Sequence, residues 1–108
     1  MFKLQPKGVP IKWPVKVNIP RDGGKVTSTT FYALFLVLDQ DELEEASNGS
    51  DLQFAQAVIK GWDGVGDELG DELPFTAENL ERLVKISYFR EGLRFAYFDC
   101  INGRAAKN

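Results

Sequence analysis

The sequence predicts an α+β domain in which an N-terminal β-hairpin packs against three or four C-terminal α-helices. Apolar residues alternate with polar ones from Ile11, break at Pro20-Arg21-Asp22-Gly23-Gly24, and resume to Leu38. Beyond Leu38 the apolar spacing becomes helical, punctuated by Asp39, Ser50, Thr76 and Ser87 at positions suited to helix starts. A length of 108 residues, 44% hydrophobic and 27% charged, suits one domain with a single core.

Residues 1–10 contain Pro6, Gly8 and Pro10 and are read as an extended, flexible leader. The hairpin occupies residues 11–38. In its first strand Trp13, Val15, Val17 and Ile19 share one face, while Lys12, Lys16 and Asn18 take the other. Pro14 suits an edge strand. The return strand is expected over about Lys25 to Val37, rich in Thr27, Thr29, Thr30, Phe31 and Tyr32. Phe31, Ala33, Phe35 and Val37 make one apolar face, and Tyr32, Leu34, Leu36 and Leu38 make the opposite one. A strand that is apolar on both sides requires cover on both sides, from the chain's own helices or from another chain.

Residues 39–103 form the helical part. Asp39 caps a short acidic helix running through Glu45, with Asp41 and Glu42 in its first turn, and Asn48-Gly49 closes it. Ser50 or Asp51 opens a second helix in which Leu52, Ala55, Ile59 and Trp62 recur at helical spacing. Gly61 to Pro74 is expected to be a long, solvated, mobile acidic loop. Thr76 caps a third helix carrying Leu80, Leu83 and Val84, although Asn79 stands where a capping box would place Glu or Gln. The last helix opens at Ser87 and fades at Gly103, with Phe89, Leu93, Ala96 and Cys100 in one stripe, Tyr97 and Ile101 flanking it, and Tyr88, Phe95 and Phe98 on the far side. Residues 104–108 are a tail.

Charge is segregated along the chain. Residues 1–38 hold six basic groups against one acid (a balance of +5), residues 39–81 hold thirteen acids against one base (−12), and residues 82–108 hold six bases against two acids (+4). Either the blocks neutralise one another within the fold, or basic and acidic ends meet between subunits, head to tail. Nucleic acid is a poor partner, because the bases are thinly spread and the acids would repel phosphate. Met1 to Pro10 lacks the apolar stretch of a signal peptide, and no apolar run approaches the ~20 residues of a membrane span, so a cytoplasmic protein is expected.

The chemistry-bearing residues are few. Histidine is absent, and the lone Cys100 lies on a buried stripe, which favours inert packing over reactivity. The acidic loop fails as a calcium loop, because counting from Asp63 puts Val65 at a ligand position and Glu68 where glycine belongs. No Lys-Ser or Lys-Thr follows Gly64, Gly66 and Gly70, so a phosphate loop is rejected. Nothing places Asp71 and Glu72 in an apolar pocket for acid–base work, and Asn48-Gly49-Ser50 is read as a turn. No catalytic, cofactor-binding or metal-binding residue is assigned, and no enzyme is expected. The candidate protein-binding residues are Tyr32, Leu34, Leu36, Trp62, Phe95 and Phe98. Trp62 serves either as a core anchor or as an interface anchor.

The order of these segments resembles a family of small bacteriophage and prophage tail assembly chaperones. The likeness is carried by Pro14-Val15-Lys16-Val17 through Pro20-Arg21-Asp22-Gly23-Gly24, and by Thr30-Phe31-Tyr32-Ala33-Leu34-Phe35. It continues in Val58-Ile59-Lys60-Gly61-Trp62-Asp63-Gly64-Val65, in Leu73-Pro74-Phe75-Thr76-Ala77-Glu78-Asn79-Leu80, and in Ala96-Tyr97-Phe98. Tyr32, Leu34 and Leu36 depart from the charged residues expected there in the family. The resemblance implies a non-catalytic protein of the bacterial host cytoplasm that binds the tape measure protein, keeps it soluble during tail assembly, and coats it in many copies or as a homo-oligomer. The competing expectations are a structural tail completion or connector subunit and a small regulator of a host protein.

Overall fold

The computed structural model describes residues 1–105; the last three positions of the expected tail, 106–108, lie outside the described residues. Strand β1 (Ile11–Arg21) runs into a single tight turn, Asp22–Gly24, and returns as β2 (Lys25–Phe35). Gly23 and Gly24 take φ values of 78° and 75°, the left-handed conformations that the turn needs. Two short helices follow, α1 (Gln40–Asn48) and α2 (Asp51–Val58), then a third strand, β3 (Ile59–Asp63). Helices α3 (Ala77–Val84) and α4 (Ser87–Ile101) are the last elements among the described residues. The architecture is α+β: a three-stranded antiparallel sheet in the order β1-β2-β3, with helices packed on one face.

The hairpin register pairs Trp13 with Ala33 and Val15 with Phe31, so the alternation seen in the sequence sends Val15, Val17, Phe31, Ala33 and Phe35 to one buried face. Onto that face α4 lays Phe89, Leu93, Ala96, Tyr97 and Cys100. Phe31 and Phe89 stack with centroids 5.4 Å apart, and Tyr97 meets both Phe35 and Phe54 edge-on. Helix α4 crosses β1 very closely: a Cβ on Gly92 would lie 2.6 Å from the Lys16 carbonyl oxygen. Glycine is the residue that admits such an approach.

Several elements differ from the sequence expectation. The second strand ends at Phe35 rather than Val37, because the Leu36 amide turns to donate to the Val58 carbonyl (2.8 Å). The helix expected to carry Leu52, Ala55, Ile59 and Trp62 stops at Val58, and Ile59 and Trp62 lie on β3 instead. The free edge of β2 supplies a partner ladder there, Tyr32 to Asp63 and Ala33 to Trp62, and outweighs the weak helical spacing. The sheet is therefore three-stranded, and the region 39–103 is not wholly helical.

The acidic loop is also more structured than expected. Gly61 to Asp63 belong to β3, and Gly66 bridges Glu72 in a small second hairpin. The Asp67 carboxylate accepts from the amides of Leu69 (2.9 Å) and Asp71 (3.0 Å), so this acid organises a turn. Within the leader, Lys7 reaches Asp39 (3.3 Å) and Glu42 (3.4 Å) at the start of α1.

Candidate functional site: three surfaces

The first surface is the outer face of the sheet, which no helix among the described residues covers. Tyr32 and Leu34 project from β2 and are 45% and 37% exposed. Their cross-strand neighbours are Pro14 and Lys12 on β1, and Asp63 and Gly61 on β3. The Lys12 ammonium pairs with the Asp63 carboxylate at 3.4 Å and lies 5.4 Å from the Tyr32 ring centroid, so one ion pair straps this apolar strip. Gly61 leaves room for Leu34 to lean across β3, where a Cβ would sit 2.9 Å from the leucine Cδ1.

The second surface is a groove of about 630 Å³ at the corner between α1 and α2. Leu36, Leu38, Ala46 and Ala57 form its apolar lining, with Glu42 and Glu45 on its rim. Two capping boxes shape the corner. Asp39 accepts from the Glu42 amide and donates its own amide to the Glu42 carboxylate; Ser50 and Gln53 do the same one helix later. The first of these contacts leads the causes that hold the Asp39 carboxyl below its ordinary pKa, and the Lys7 ammonium adds to it. The Tyr97 hydroxyl closes the inner end of the corner, donating to the Leu36 carbonyl (2.9 Å) and accepting from the Leu38 amide (3.1 Å).

The third surface is the solvent side of α4. Phe95 is 73% exposed, beside Arg90 and Arg94, which share a single carboxylate, Asp51, at 3.3 and 3.6 Å. Arg94 also lies over the Phe54 ring, 4.3 Å from its centroid.

The six candidate residues are thus not one patch. Tyr32 and Leu34 share the outer sheet face, Leu36 lines the groove, and Phe95 stands on α4. Phe98 is half-buried, stacked on Phe54 at 6.1 Å. Trp62 is half-buried too: its indole N–H donates to the Leu73 carbonyl (2.7 Å) and its ring meets Phe75 edge-on at 4.8 Å. It anchors the small acidic hairpin to the sheet. The groove was missed from the sequence, although the Asp39/Glu42 and Ser50/Gln53 spacings announce two capped helices meeting at Gly49.

Among the described residues no three acidic or cysteine side chains converge as a metal site, and no buried polar side-chain atom lacks a hydrogen-bond partner. Burial pushes the Cys100 thiol up, which keeps it protonated and unreactive at neutral pH. Among the described residues no helix is long and apolar enough to cross a membrane.

The site is thus a set of protein surfaces on a small α+β domain. A family model described as YdaY prophage protein matches residues 31–98, from the middle of β2 to the last turn of α4, and the chain belongs to that family. No curated protein and no solved structure matches the chain.

Proposed function

We propose that this prophage protein is a tail assembly chaperone that binds apolar stripes of the tape measure protein in the host cytoplasm and keeps that client soluble. The observation that carries the reading is the uncovered outer sheet face, where Tyr32 and Leu34 stand exposed side by side on β2 as apolar contacts for a client. Membership of a prophage family supports the setting. A net charge of −3, with its acids concentrated between residues 39 and 81, would keep a coated client dispersed. Many weak contacts along a long client add up by multivalency, so no single deep site is required. On this reading the protein is not an enzyme.

Replacing both Tyr32 and Leu34 with Asn tests it. These exposed positions should keep the circular dichroism spectrum and shift the melting temperature by only a few degrees, about 1 kcal/mol or less. Co-expressed tape measure protein should then move from the soluble to the insoluble fraction. Unchanged client solubility with the double variant would refute the proposed surface. Retention of the protein in purified tails would point instead to a structural tail subunit.

A further inference from the structure

We infer that two copies of this chain join edge to edge through β2, antiparallel and related by a twofold axis that passes near Thr27 and Ser28. This contact is independent of the chaperone reading and uses other residues.

One edge of the sheet is open over much of its length. Strand β2 spans 11 residues, yet β3 pairs with it only from Tyr32 to Phe35. Beyond Asp63 the chain turns at Gly64 (φ 86°), which lies beside Phe31. From Lys25 to Thr30 every residue is exposed, and among the described residues no strand lies on that side. The two outer edges of the ribbon differ. Along β1, Pro14 and Pro20 lack the N–H that an added strand needs, which is one way that natural sheets guard an edge. The β2 edge has no such guard: the stretch from Val26 to Thr30 contains neither proline nor charge and is rich in β-branched residues. An unguarded edge with unpaired amides and carbonyls is a template for a further strand.

Charge along this edge identifies the occupant as a second copy. At the turn stand Arg21 and Lys25 against Asp22 alone, and neither base is ion-paired among the described residues. At the other end begins the acidic hairpin. Asp63 there is already held by Lys12, but Asp67, Glu68, Asp71 and Glu72 have no base between them and no ion partner among the described residues. The edge is thus basic at one end and acidic at the other. Antiparallel pairing of two copies sets each basic turn toward the acidic hairpin of the other, twice over, whereas parallel pairing would set like against like. The middle is self-complementary as well, since Thr27-Ser28-Thr29 carries hydroxyls in both reading directions and places them across from one another. One patch serves both copies, so the contact is isologous and closes at a dimer. It turns two marginal ribbons into one four-stranded sheet.

Sedimentation velocity across a concentration series tests the contact on the full chain. A short edge buries little area, so the dimer is weak: dilute protein should be monomeric with a bare ribbon, and concentrated protein dimeric, with nothing larger. Amides from Val26 to Thr30 should gain protection from exchange as the concentration rises, while those of α4 do not change. Arg21→Glu together with Lys25→Glu should weaken dimerisation about tenfold or more. Adding Glu68→Lys and Glu72→Lys to the same chain restores the native net charge and should restore the dimer. Ser28→Lys sets two ammonium groups against each other at the axis and should weaken the dimer similarly. All of these positions are exposed, circular dichroism checks that each variant folds, and Thr27→Lys repeats the axis test should Ser28→Lys fail to do so. A native chain that stays monomeric at every concentration overturns the proposal, as do assemblies larger than a dimer. An unchanged dimer in the folded Arg21/Lys25 variant also overturns it, as does a folded four-site variant that stays monomeric.

Discussion

The hydroxyl of Tyr97 lies at the end of a fully buried ring and bonds both sides of the short link between β2 and α1. Phe35 and Phe54 hold the ring edge-on, so packing directs the hydroxyl toward the Leu36 carbonyl and the Leu38 amide. Tyr97→Phe keeps the ring and removes both bonds. It should cost about 1–3 kcal/mol in urea denaturation, because two backbone groups lose their partner in a partly buried place. Desolvation by burial raises the hydroxyl pKa above its ordinary value, and the Leu38 amide opposes this only in part. The neutral form is thus the one that the fold favours. Tyr97 contributes stability that is complete below the ordinary tyrosine pKa of about 10 and is lost as the pH climbs through the raised folded value. The native protein should therefore destabilise more steeply above about pH 10 than the Phe variant. Equal alkaline slopes for the two would refute this assignment. The same residue shows the reach of sequence reasoning: its place beside the buried stripe of α4 was legible from the helical period, but its bond to a link 59 residues away was not.

Between α2 and α3, local propensity and tertiary pairing compete. Leu52, Ala55, Ile59 and Trp62 have helical spacing, yet Ile59 and Trp62 end up in a strand because β2 has an edge to offer. Such a ladder is a non-local partner that no window of sequence contains. The α1 and α2 starts, by contrast, were legible, since Asp39 and Ser50 cap their own helices through neighbours three residues on. Trp62 converts β3 into a support for the acidic hairpin, with one bond to Leu73 and one edge contact with Phe75. Trp62→Phe deletes that bond while keeping an aromatic ring. Amide exchange across residues 65–73 should accelerate about fivefold for the loss of about 1 kcal/mol locally, with the exchange of α4 unchanged. Acceleration spread evenly over the whole chain would show that Trp62 supports the fold and not the hairpin.

Across the whole molecule, the long strands outrun the layer that covers them. The extents are 48 × 29 × 25 Å, and every residue from Pro20 to Thr30 is exposed, so the far half of the hairpin is a two-stranded ribbon with no core behind it. Ribbons of that kind are marginal alone. Amides paired between Asn18 and Ser28 and beyond should exchange about 100-fold faster or more than those pairing Val15 with Phe31. Uniform protection along both strands would mean that something covers the ribbon in solution. Charge acts at this scale as well. Among the described residues five ion pairs join the acidic block to a basic one, from Lys7, Lys12, Arg90 and Arg94, so internal neutralisation is real. All of them lie at the surface, where each contributes about 1 kcal/mol or less. They align the segments more than they stabilise them, and they leave surplus charge available outside.

The bare backbone at Gly92 has a wider effect than the space it saves. With its backbone at Gly92 set close to the Lys16 carbonyl, α4 meets β1 along a seam that has no room for a side chain. Phe95, less than one turn further on, inherits its direction from that seam. A methyl group at position 92 would tilt the whole rod and re-aim an aromatic ring that never touches it, so the outward geometry of this protein is keyed from its interior.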